Sequence, residues 1–145
     1  MNIIIDVNVF LSALIRDSTT RELIFTSEQE FYFPEKSMQK IRKYKDYIQK
    51  KSGLSNLEFL KLFHTLMKFI KIISDEQLLD YWDEAKNIMG QIDPEDVTFI
   101  AAALSIEFSV IWSNDHHFEK QKAIITLKTK DLVKVNNYTD RKKHI

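Results

Sequence analysis

Short apolar runs alternate along this chain with longer stretches whose apolar positions recur every three or four residues. That pattern predicts buried strands separated by amphipathic helices. Asn2–Ile5 is too continuous to alternate, as expected of a strand covered on both faces. Residues 7–16 follow, with Val9, Phe10, Ala13 and Leu14 at helical spacing. Asp17-Ser18-Thr19-Thr20 breaks and restarts a helix, with Thr19 or Thr20 as its cap. Residues 31–33 predict a second strand, and Pro34 suits the first turn of the helix after it. That helix is expected to run to Ser52-Gly53, where glycine supplies a C-terminal stop.

Ser55-Asn56-Leu57-Glu58 opens the next helix, with Leu57, Leu60, Leu62, Phe63, Leu66, Met67 and Ile70 as its inward positions. Ile72-Ile73 reads as a stub of strand, and residues 75–89 as a helix closed by Gly90. An Ala-rich apolar helix is expected over 97–108, then strands at Ser109–Trp112 and 123–127, then a short helix over 129–135. Strands and helices in this order predict an α/β fold: one helix-rich domain over residues 1–145 around a short, mainly parallel sheet.

Composition narrows the chemistry. The chain has 145 residues, 44% hydrophobic and 29% charged, which suits one soluble domain with a real core. No apolar run is long enough for a bilayer, and MNIII meets Asp6 without a basic leader, so neither a membrane span nor a signal peptide is expected. The absence of cysteine excludes disulfides, zinc ribbons, iron–sulfur sites and thiol nucleophiles. Two glycines leave no Gly-rich phosphate loop. A cytoplasmic domain working through carboxylates, hydroxyls, histidines or lysines is the expectation that remains.

Net charge is zero, 21 basic against 21 acidic residues, but the two signs are segregated. Residues 36–51 hold seven bases (Lys36, Lys40, Arg42, Lys43, Lys45, Lys50, Lys51) and one acid, Asp46. Residues 75–96 hold eight acids and one base, Lys86. Such runs form solvated helix faces, or in the basic case a surface for a polyanion; composition does not choose.

Three aspartates stand at unusual addresses. Asp6 ends the first strand, Asp115 lies just beyond the strand Ser109–Trp112, and Asp96 is in the first turn of the preceding helix. In an open parallel sheet, ligands bind outside the carboxyl ends of the strands. Carboxylates gathered there repel unless a cation neutralises them, and oxygen-only ligands favour magnesium or manganese. Each acid also has a purely local reading. Asp6 can cap the helix after it, Asp93 with Pro94 starts a helix competently, and Asp115 with Asn114 can open a turn. The capping role suits Asp93 best. Adjacent His116 and His117 lack zinc-ligand spacing, and no Gly-x-Ser-x-Gly elbow supports a Ser–His–Asp triad.

These addresses resemble the PIN domain, a family of metal-dependent ribonucleases that includes VapC-type toxins of toxin–antitoxin pairs. Ile3-Ile4-Ile5-Asp6-Val7-Asn8, with Ser12, resembles its first motif; Asp93-Pro94-Glu95-Asp96 its third; Trp112-Ser113-Asn114-Asp115 its fourth. Pro34-Glu35, the Lys43-Tyr44-Lys45 region and Lys51-Ser52-Gly53 resemble one prokaryotic branch. The resemblance implies a three-layer α/β/α fold and a Mg2+ or Mn2+ site formed by Asp6, Asp96 and Asp115, supported by Asn8, Ser113 and Asp93. It implies hydrolysis of RNA phosphodiesters, an antitoxin partner and a homodimer.

One motif departs from the family. Its second acid, aligned by Pro34 and Ile41, falls on Lys40, and a further acid two residues after Asp115 is replaced by His117. An ammonium about 4 Å from a divalent ion costs on the order of 4 to 8 kcal/mol at an effective dielectric of about 20, unless its stem swings into solvent. Two readings follow: a metal-dependent endoribonuclease, or a degenerate PIN fold that binds RNA or protein without cutting. Lys36, Lys40 and Lys43, at i, i+4 and i+7, are expected to share one phosphate-binding face, with Tyr44 and Phe118 as stacking partners for single-stranded RNA.

Overall fold

The computed structural model describes residues 1–16 and 18–143, with side chains described through residue 137. Asp17, the first residue of the expected break, lies outside the described residues.

Five parallel strands form one sheet: β1 (Asn2–Ile5), β2 (Glu30–Pro34), β3 (Ile70–Ile73), β4 (Ser109–Trp112) and β5 (Thr126–Leu127), in the order β3-β2-β1-β4-β5. The central strand is the most apolar one. Ile3, Ile4 and Ile5 are wholly buried, which explains why β1 reads as a continuous apolar run. From β1 to β3 the chain steps outward in one direction, through α1 (Val7–Ile15), α2 (Thr19–Thr26), α3 (Met38–Lys43), α4 (Lys45–Ser52) and α5 (Asn56–Met67). It then returns past β2 and β1 to β4, through α6 (Asp75–Leu79), α7 (Trp82–Met89) and α8 (Val97–Ser105). Right-handed crossovers running in opposite directions put the two helix sets on opposite faces, giving the expected α/β/α layers. The reversal lies between β1 and β4, so the crevice at their carboxyl ends is the topological switch point of the sheet. After β5, α9 (Thr129–Lys143) is tied to the end of β4, because the Thr129 hydroxyl accepts from Trp112 Nε1 and Asn114 Nδ2.

Several elements differ from the sequence expectation. The cap position before α2 is Ser18 rather than a threonine. The basic helix is broken: a 3-10 turn at Glu35–Ser37 precedes α3, and Tyr44 (φ −97°, ψ 12°) separates α3 from α4. The acidic helix is likewise split, between Leu79 and Trp82. The last strand shortens to Thr126–Leu127, and the helix after it is longer than 129–135. In α5, Phe59, Leu62, Phe63 and Leu66 form the inward stripe, which the 3.6-residue period allows, while Leu57 and Leu60 fall off it and are exposed. The predicted start of α5 holds: Ser55 and Glu58 form a reciprocal capping box. Among the described residues no helix is long and apolar enough to cross a membrane.

Candidate metal centre

Strand register delivers the first two acids to one place. Ile5 pairs with Trp112, and the Asp6 amide donates to the Trp112 carbonyl at 3.0 Å, so Asp6 and Ser113 leave the sheet side by side. The wholly buried Ser113 hydroxyl donates to Asp6 Oδ2 at 2.7 Å and accepts the Asp115 amide at 3.0 Å. One hydroxyl therefore fixes both acidic residues. Asp6 occupies the cap position of α1 yet closes no side-chain capping bond. Burial raises its pKa above the ordinary carboxylate value, an effect the Ser113 hydroxyl and the Val7 amide oppose.

The third acid arrives from the opposite helical layer. Asp93 caps the 3-10 turn Pro94–Asp96 by accepting the Glu95 amide at 3.0 Å, and this turn feeds Asp96 into α8. Asp96 is buried, and its Oδ2 has no hydrogen-bond partner among the described residues. Its pKa is raised to about 7, first by burial and then by the negative charges of Asp93, Asp6 and Asp115. A buried carboxylate facing three others, with one oxygen unsatisfied, is electrostatically costly alone and suited to a cation.

The local roles and the shared one coexist. Asp93 is the cap its sequence suggested, and its other oxygen, Oδ2, lies 3.1 Å from His117 Nδ1. Asp115 opens the turn His116–Lys120 by accepting the His117 amide at 2.9 Å, and that turn swings His117 back over the acids. The adjacent imidazoles do not diverge; their ring centroids are 4.6 Å apart. Potential ligand atoms of Asp93, Asp96 and His117 lie within 4.8 Å of one another, as do those of Asp115, His116 and His117. His117 is thus a member of the cluster that spacing rules did not select. Its signal was its place two residues after Asp115, where a capped turn returns the side chain to the site.

The PIN-domain family model matches residues 4–138, nearly the whole chain. This chain belongs to the PIN-domain family. A comparison with curated proteins found no match. PIN domains generally use divalent metals, and the donors here fit one: ligand atoms of Asp93, Asp96 and His117 gather in one group and those of Asp115, His116 and His117 in another, Asp6 lies outside both, and Asp96 carries an orphaned buried oxygen.

In this PIN domain Lys40 reaches the centre's rim. Its Nζ lies 2.8 Å from Glu95 Oε2, and that hydrogen bond, more than any other effect, holds its pKa above the ordinary lysine value. The charge of Asp96 acts in the same direction. Glu35 is engaged elsewhere, accepting the Asp75 amide at 3.3 Å. The three lysines expected to share one face have different neighbours: Lys40 pairs with Glu95. Lys36, in the 3-10 turn, sits 4.6 Å from the Trp82 ring centre, and Lys43 lies 5.6 Å from that of Tyr44. Phe118 is wholly buried against Phe99, so it has no face for a nucleobase, whereas Tyr44 is exposed. Asn8 is exposed on the first turn of α1, beside Asp6.

Proposed function

We propose that this PIN domain is a Mg2+- or Mn2+-dependent endoribonuclease acting on single-stranded RNA, as the toxin of a toxin–antitoxin pair. The observation that carries the reading is the convergence of Asp6, Asp93, Asp96 and Asp115 on the switch point, with Asp96 Oδ2 buried and unsatisfied. Asp96, Asp93 and Asp115 would hold the ion, with Asp6 locked in place by Ser113. A bound divalent ion supplies a water of lowered pKa and neutralises charge on the phosphoryl oxygens. The protein's own part is positional. Ser113 orients Asp6 and Asp115 together, and Lys40, with three N–H donors and one engaged by Glu95, presents an ammonium to a phosphate oxygen.

The Lys40–Glu95 pair also supports a second reading, in which the domain keeps the fold and binds RNA or a protein partner without cutting. Cleavage of a labelled single-stranded RNA, with and without manganese, separates the two. Activity that requires the metal and is lost in both Asp96→Asn and Asp6→Asn supports the nuclease. Persistent absence of metal-dependent cleavage in the wild type supports the binding protein.

A further inference from the structure

Two recesses open beside the metal centre on the face of α1, and they share walls. The first, about 200 Å3, is lined by Asn8, Leu11, Lys40, Tyr44 and Tyr47, with Val7 at its inner end. The second, about 480 Å3, adds Arg16 and Lys51 around the same Asn8, Leu11 and Tyr47. Shared residues make them one groove. It starts at Val7, next to Asp6, and follows α1 away from the sheet, with α4 as its opposite wall.

We propose that this groove is the path of the RNA strand: bases stack on Tyr44 and Tyr47, and Lys40, Lys51 and Arg16 meet the phosphates. The inference rests on the nuclease reading for the identity of its ligand as RNA. Its support is independent of the acids. Tyr44 and Tyr47 are 41% and 53% exposed, and each has a lysine ammonium near its ring, Lys43 at 5.6 Å and Lys51 at 5.8 Å. Among the described residues, every charged one that lines the two recesses is a cation. The floor, Leu11 and Ile15, is apolar and half-buried. Aromatic planes beside cations on an apolar floor match the alternating base and phosphate of a single strand, and a duplex hides the base faces such planes would take. Sequence spacing pointed to Lys36, Lys40 and Lys43 for this role; of these Lys40 lines the groove, where Lys51 and Arg16 join it.

Fluorescence anisotropy with a short fluorescein-labelled single-stranded oligoadenylate, in EDTA, tests the groove without metal chemistry. The full chain should bind, and Tyr44→Ala/Tyr47→Ala should weaken binding about ten-fold or more. Tyr44→Phe/Tyr47→Phe should restore it, since stacking needs the ring and not the hydroxyl. Arg16→Ala/Lys51→Ala should flatten the slope of log K against log salt by about 1.4. Circular dichroism melts confirm that each variant is folded. Wild-type affinity in the alanine variants, no rescue by phenylalanine, equal competition by duplex RNA, or no binding by the wild type would each overturn the groove. Groove-dependent binding together with no metal-dependent cleavage by the wild type would keep the groove and defeat the nuclease reading.

Discussion

Lys40 Nζ and Glu95 Oε2 meet at 2.8 Å, joining the helix after β2 to the turn that carries Asp96. Lys40, which the sequence aligns with the family's second acid, therefore lies beside the turn that carries Asp96. It carries a positive charge there, and a neighbouring glutamate offsets it. Exposed pairs of this kind add little stability, about 0 to 1 kcal/mol, so what the pair changes is the charge at the rim of the site.

Lys40→Glu should therefore act on metal binding. It removes an ammonium, adds a carboxylate beside Glu95, and changes the charge at the rim by two. Calorimetric titration should show manganese binding at least about ten-fold tighter than in the wild type, an energy of about 1.4 kcal/mol that is modest against the Coulomb scale at this distance. The ion-free variant should melt lower, because the added acid repels the others. Unchanged manganese affinity would mean that Lys40 does not occupy the second acidic position.

Asp96 sets the pH dependence of the ion-free fold. Its pKa rises from 3.8 to about 7 on folding, so the native state binds this proton more tightly than the unfolded chain does. That contribution is fully present below the unfolded value and is lost as pH rises through the folded one. Asp6, raised by burial, acts in the same direction. Urea unfolding in EDTA should give lower stability at about pH 8 than at about pH 5, with Asp96 contributing a slope of up to about 1.4 kcal/mol per pH unit. Asp96→Asn should flatten that slope, and saturating manganese should restore wild-type stability at the higher pH. A wild type more stable at the higher pH in EDTA would contradict the buried acid cluster.

Ser113→Ala should separate local from general damage. It removes the donor to Asp6 Oδ2 and the acceptor of the Asp115 amide, and should cost about 1 to 3 kcal/mol in denaturant unfolding while weakening manganese binding. Ser55→Ala breaks the capping box of α5, whose two bonds run between Ser55 and Glu58, and should cost about 1 kcal/mol with metal affinity unchanged. Equal effects of the two variants on metal binding would show that loss of stability, rather than loss of the Ser113 contacts, is being read.

The strands and the acids were legible in the sequence for the same reason. A parallel strand buried on both faces leaves an unbroken apolar run, and Asp6 and Asp115 stand where two such runs stop. Asp96 was legible through the Asp93-Pro94 helix start. What sequence periodicity misses is geometry set by breaks. Tyr44 ends α3 and begins α4, and Tyr47 and Lys51 of α4 line the recess against α1. His117 returns to the acids through a capped turn, which helical spacing does not describe. Phe118 went the other way, from expected stacking partner to core, since a lone aromatic beside a turn carries no sign of which side it faces.

The central claim is that Asp96 and its neighbours form a working divalent-metal site, and manganese titration by calorimetry on the wild type and Asp96→Asn tests it most directly. Removing one charged oxygen donor from the cluster should abolish binding or weaken it about a hundred-fold, while the fold, relieved of a buried charge, becomes no less stable at about pH 8. Wild-type manganese affinity in Asp96→Asn, or no binding by the wild type near millimolar metal, would contradict it.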